Sequence, residues 1–211
     1  MTKISRYALL LTLSCLTPVT TQAVDIVEGE TYEGLSGTTG GVKMSAYGSF
    51  TSKNNTFKNN TATGGEIMGW PGGGGALYSL EGTSFTVENG TFEGNRSTAS
   101  GNVGGAVVVY KAQAGSITDS HFTSNETAGK GGAIYLDSVK DGFTVSGSDF
   151  TSNNAADGGA VYVAGSTPVF DNLTFRQNHA SGDGGAVNVW PTSGGLGKSV
   201  QIKNSTFEEN T

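Results

Sequence analysis

"FTSNETAGKGGAIYL", residues 122–136, returns 28 positions later as "FTSNNAADGGAVYV", residues 150–163. Both copies keep a Phe, an Asn three residues on, a glycine pair and then a small residue followed by alternating apolar positions. Working outward, Phe-x-x-Asn occurs six times: Phe57–Asn60, Phe92–Asn95, Phe122–Asn125, Phe150–Asn153, Phe175–Asn178 and Phe207–Asn210. The phenylalanines are spaced by 35, 30, 28, 25 and 32 residues. Between them lie "GGALY" at 74, "GGAVVV" at 104, "GGAIYL" at 131, "GGAVYV" at 158 and "GGAVNV" at 184, with degenerate "GGVKM" at 40 and "GGEIM" at 64. Self-similarity at this period is the signature of a solenoid, in which each unit buries its apolar face only against its neighbours.

Alternation defines the elements. Seven and five residues before each Phe stand pairs such as Phe85 and Val87, Phe143 and Val145, and Val200 and Ile202. After the glycines come Val107 and Val109, Ile134 and Leu136, and Val161 and Val163. Period two with β-branched residues, bounded by Gly, Asn and Ser, reads as short strands and turns. Two or three such strands per unit, six times over, predict an all-β fold: a single-stranded, right-handed parallel β-helix of about six coils. Equivalent residues then stack about 4.8 Å apart, giving a rod of roughly 30 Å. Phe57, Phe92, Phe122, Phe150, Phe175 and Phe207 are expected to line its inside. Asn60, Asn95, Asn125, Asn153, Asn178 and Asn210 are expected at a left-handed corner, each amide donating to the next coil and accepting from the one before. The glycine pair supplies the positive φ that turns the chain into the next strand.

Composition bounds the rest. "MTKISRY", "ALLLTLSCLTPV" and "TTQA" follow the basic, apolar, small-residue order of a secretory signal peptide over 1–23. Its removal takes Lys3 and Arg6 and moves the net charge from −6 to −8. An acidic exported chain argues against nucleic acid and anionic lipid as partners. Cys15, the sole cysteine, falls in the signal, so no disulfide or thiolate chemistry is expected. Residues 24–39 read as an N-terminal cap and 40–211 as the repeat domain.

Alternating GGA[ILV] and FxxN tetrapeptides in an exported, Gly-, Asn- and Ser-rich chain resemble the chlamydial polymorphic membrane proteins, over about residues 40–211. The resemblance implies a β-helical autotransporter passenger on the cell surface, outside the outer membrane, whose role is adhesion to a host-cell receptor or surface glycan. It further implies adhesive motifs at Gly131, Gly132, Ala133 and Ile134, at their valine-bearing equivalents, and at the Phe-x-x-Asn sites. The family's C-terminal membrane barrel has no counterpart among the repeats, which stop in mid-coil at "FEENT". Truncation, with outer-membrane association through the missing barrel, is the expectation.

Candidate chemistry is sparse. Alternation sends Tyr78, Val108, Tyr135, Tyr162 and Asn188 outward, a candidate aromatic contact ladder. The alternative is rings that shield the sheet or lie under the loops between Asn and the glycine pair. The insert "GGEIMGWPGGGG", 64–75, offers Met68 and Trp70 as a second patch. Lys130, Asp157 and Asp183 share one position on successive coils, a weak cation site or catalytic remnant, set against the commoner solvated turn. His121 and His179 have no partner at ligand or triad spacing. "GGLGKS" at 194–199 lacks the first glycine of a phosphate loop, since Thr192 holds that place. No enzyme, cofactor or metal is expected; a polysaccharide lyase or glycosidase, or a structural spacer, is the alternative to a binding role.

Overall fold

The computed structural model describes residues 28–38, 40–66, 69–190 and 199–211; the expected signal peptide lies outside them. Every regular element described is a β-strand of two to five residues. All pairings are parallel and join each strand to its equivalents one coil before and after, forming a right-handed solenoid of about six turns.

Each coil contributes four strands rather than two or three. The Phe sheet has seven strands, from Thr31–Glu33 to Thr206–Glu208. A sheet of two-residue strands, from Ser36–Gly37 to His179–Ala180, turns the corner after each Asn. The GGA sheet runs from Lys43–Ala46 to Val187–Trp190, and a lead-in sheet from Ser49–Lys53 to Gln201–Lys203. The extra strands arise where one residue at positive φ breaks an apparently continuous run. Asn89 (φ 51°) and Asp119 (φ 50°), for example, divide the lead-in strand from the Phe strand. Residues 28–38, expected as part of a cap, supply two strands in register with Thr56–Lys58 and Thr61–Ala62.

The phenylalanines form one column through the lumen. Successive ring centroids from Phe57 to Phe207 are 4.6–4.9 Å apart, with interplanar angles of 3–13°. This is the strand spacing transmitted to the side chains, and Tyr32 extends the column beyond Phe57 at 5.3 Å. The lead-in sheet carries a second aromatic pair, Phe50 on Phe85. Gly115 follows in register, and a Cβ there would lie 2.7 Å from the Phe143 ring, so glycine leaves the space that ring fills.

The asparagines are not themselves the left-handed residues. Positive φ falls one position earlier, at Asn59, Gly94, Ser124, Ser152, Gln177 and Glu209. That placement frees the Asn side chain to point inward, where its amide replaces main-chain pairing at the corner. The glycine pair divides its work. Gly131 adopts φ 72°, and a Cβ on it would collide with the carbonyl of Ile134. A Cβ on Gly132 would collide with the carbonyl of Gly159 on the next coil. One glycine makes the turn and the other permits the axial stacking distance.

Candidate binding surface

The GGA sheet places alternate residues on two faces. Val107 and Val109 enter the lumen cluster, while Val108 and Tyr110 join a separate cluster outside it with Tyr78, Leu80, Val103, Tyr135 and Tyr162. The outward direction of the tyrosines is therefore as alternation requires. Their exposure is not: Tyr78 is 1%, Tyr135 6% and Tyr162 2% accessible. Of the two readings of these rings, the exposed contact ladder is corrected and the covered one holds. Just before the glycine pairs at 74, 104, 131 and 158, Gly73, Val103, Lys130 and Asp157 form a line of single parallel bridges, from which Val103 packs with the tyrosines and Lys130 reaches Tyr162.

Trp70, expected as part of an exposed patch, is half-buried, and its ring lies 5.1 Å from that of Tyr110. The neighbouring Pro71 carbonyl accepts hydrogen bonds from the hydroxyls of both Tyr78 and Tyr110 at 3.3 Å. Lys111 closes the edge, with Nζ 4.2 Å from the centre of the Trp70 ring and 3.0 Å from Glu81 Oε1. Lys130 Nζ sits 4.7 Å over Tyr162, and the Tyr135 hydroxyl donates to Asp137 Oδ2 at 3.2 Å. Burial pushes the hydroxyls of Tyr78, Tyr110 and Tyr135 far above the ordinary tyrosine range. Met68, the other member of the expected patch, lies outside the described residues.

Tyr110 is the central ring of this cover, and sequence reasoning passed over it. Its position is held by Leu80, Asp137, Ala164 and Trp190 on other coils, so no repeat marks it. Only its parity with Val108 could have found it.

The tetrapeptides expected to be adhesive are interior. Gly131 and Gly132 are buried, and Ala133 and Ile134 are fully inaccessible. Phe57, Phe92, Phe122, Phe150 and Phe175 are likewise inaccessible, as are Asn60, Asn95, Asn125, Asn153 and Asn178. Phe207 is 47% exposed at the C-terminal end of the column, where an open hollow of about 450 Å³ is lined by residues including Val189, Ile202 and Asn210. The accessible surface of the middle coils is thus built from the residues between the motif positions.

Asp157 and Asp183 do occupy adjacent coils, but their side chains do not pair. Asp157 Oδ1 accepts the backbone N–H of Asp183 at 3.1 Å, while Lys130 turns to Tyr162. Among the described residues, no three His, Cys, Asp or Glu side chains gather as a metal site. The histidines, expected to be isolated, each have a neighbour one coil on: His121 Nδ1 lies 3.0 Å from Asp149 Oδ2 and His179 Nδ1 2.9 Å from Thr211 Oγ1. "GGLGKS" falls almost wholly outside the described residues.

The outer faces of the other sheets are polar and linked along the axis. Lys53 meets Glu88 at 2.7 Å, Lys58 meets Glu93 at 3.1 Å and Arg176 meets Glu208 at 2.8 Å, each pair in register across neighbouring coils. Solvent-facing side chains include these charges and threonines such as Thr123, with Leu35, Tyr47 and Trp190 among the exposed apolar ones.

Comparison with known families agrees with this geometry. Residues 72–211 match the right-handed β-helix region, and residues 56–80 match the Chlamydia polymorphic membrane protein repeat. No curated protein and no solved structure matches the chain. The 56–80 match runs from the Phe-x-x-Asn of one coil through the glycine pair to the next GGA strand, so it covers one full motif alternation. The chain belongs to the right-handed β-helix family and carries the polymorphic membrane protein repeat of Chlamydia.

Proposed function

We propose that this chain is an exported, surface-displayed passenger of the autotransporter type, held outside the outer membrane and acting in adhesion to a host-cell receptor or surface glycan. The observation that carries the reading is the repeat match at 56–80 within a solenoid that spends its motif residues on its own interior. The motifs then act in adhesion by building the rod, and contact is made by the polar side chains between them. A non-catalytic role fits the use of Asp157 Oδ1 as the acceptor of the Asp183 backbone N–H.

The test is binding of beads coated with folded chain to epithelial cells, with competition by short peptides carrying "GGAI" or "FTSN". Folded protein should adhere and compete, while heat-unfolded chain and peptides should not. Peptides that compete as well as the folded chain would show that the motifs themselves are recognised, and the surface reading would fail.

A further inference from the structure

The lumen is not uniform along its axis. In the GGA sheet, Lys43 holds the inward position that Leu77 and Val107 hold on the following coils. The next inward position changes from Ser45 and Ser79 to Val109 and Leu136. In the lead-in sheet, Ser52 stands in register with Val87, then Ile117 and Val145. Burial holds the Lys43 ammonium below its ordinary range.

Hydrogen bonding follows the same gradient. Among the described residues, the buried side-chain atoms without a partner are Ser79 Oγ, Ser97 Oγ and both amide ends of Asn102. All lie before Val103. Serine in the lumen buries less apolar surface than the Val, Ile or Leu that succeeds it, so the first coils gain less from packing than the later ones. In a solenoid, stability is a sum of local coil and neighbour terms, so a penalty confined to the first coils is not shared by the later ones.

We infer that the segment from Glu28 to Asn102 opens as a unit before the coils from Val107 to Ala180, and that it serves as a removable cover. Trp70 and Pro71 belong to this segment but rest on Tyr110, which belongs to the next coil and is inaccessible in the closed form. Opening therefore uncovers the Tyr110 ring and the axial edge of Val107–Tyr110 while the coils beyond remain folded. The inference stands independently of the adhesive reading.

Two probes on the full chain test it. Trp190 is the only other tryptophan and is 65% exposed, so Trp190→Phe leaves Trp70 as the sole indole reporter. In a urea titration the Trp70 signal should change at lower denaturant than the far-ultraviolet circular dichroism. On the unaltered chain, amides of Leu77–Leu80 should exchange hydrogen at least about tenfold faster than those of Ile134–Asp137. Ser79→Ala, which removes an unpartnered hydroxyl, should slow exchange at Leu77–Leu80 by about tenfold and leave Val161–Ala164 unchanged. Coincident transitions with uniform exchange would overturn the inference. So would a Ser79→Ala variant that leaves exchange at Leu77–Leu80 unaltered or faster.

Discussion

Asn125 Nδ2 donates to Asn153 Oδ1 at 3.0 Å, and Asn153 Nδ2 donates in turn to Asn178 Oδ1 at 2.9 Å. Each Oδ1 also accepts the backbone N–H of the Asn before it, and each Nδ2 gives its second proton to a Phe carbonyl, Phe92 in the case of Asn125. Three hydrogen bonds per coil thus run through a position with no solvent access. Asn125→Ala removes the acceptor of the Asn95 main-chain N–H and of one Asn95 Nδ2 proton, and the side-chain donor to Phe92; the other Asn95 Nδ2 proton stays on the Phe57 carbonyl. At about 1–3 kcal/mol for each of the two orphaned N–H protons, a loss of at least about 2 kcal/mol is expected in chemical denaturation. A loss below about 1 kcal/mol would mean that the ladder is decoration.

Gly132 tests a different force. Its Cβ would overlap the Gly159 carbonyl and lie 2.7 Å from the backbone N of Asn154, so no rotamer relieves the clash. Gly132→Ala must therefore push two coils apart, breaking register on both sides. The expected result is a chain that does not reach the native dichroism. Gly142→Ala offers a control: φ is 92° but no atom stands within 4 Å of its Cβ, so only the local backbone cost of about 1–2 kcal/mol applies.

The coil architecture was legible because its constraints recur at every turn. A ring at Phe122 has to lie over Phe92 and under Phe150, so the sequence repeats wherever the packing problem repeats. What could not be read was whatever happens once. The covering of the GGA sheet depends on Trp70 and Pro71 meeting Tyr110, 39 residues further along the chain from Pro71, with no equivalent in the other coils. Alternation gave the direction of Tyr78, Tyr135 and Tyr162 but says nothing about what lies on top of them. The corners were misplaced by one residue for a related reason: Asn tolerates positive φ, yet here its amide is needed inward, and Ser124 or Gln177 takes the strained position.

Alkaline titration reports the covered face directly. The hydroxyls of Tyr78, Tyr110 and Tyr135 are raised by burial, Tyr110 and Tyr135 also by the Asp137 carboxylate. Because the folded chain holds these protons more tightly than the unfolded chain, the stabilisation is complete below the unfolded tyrosine value of about 10 and falls as pH rises above it. Absorbance at the tyrosinate band should show exposed tyrosines ionising first. The buried three should ionise only together with loss of the native dichroism. Smooth ionisation of every tyrosine near pH 10 with the fold intact would contradict their burial.

Lys58 and Glu93 face each other across two coils of the Phe sheet, with side chains 37% and 47% exposed. Solvent screens a pair this open, so its contribution to stability is at most about 1 kcal/mol. Glu93→Lys should lower stability by about 0.5 kcal/mol through like charges placed side by side, and Lys58→Glu in the same chain should restore part of it, since Glu33 stands in register with Lys58 on its other side. The double-mutant cycle measures that coupling, which 1 M salt should largely abolish. The fold tolerates these exchanges because Phe57 and Phe92, between the charged positions, carry the packing. Charge reversal at Lys58, Glu93 or Arg176 therefore probes the outer face without unfolding the rod. If the adhesive contact lies on the Phe sheet, bead binding should fall in these variants while the rod stays folded. Unchanged binding in all of them would direct the search to the loops before the glycine pairs.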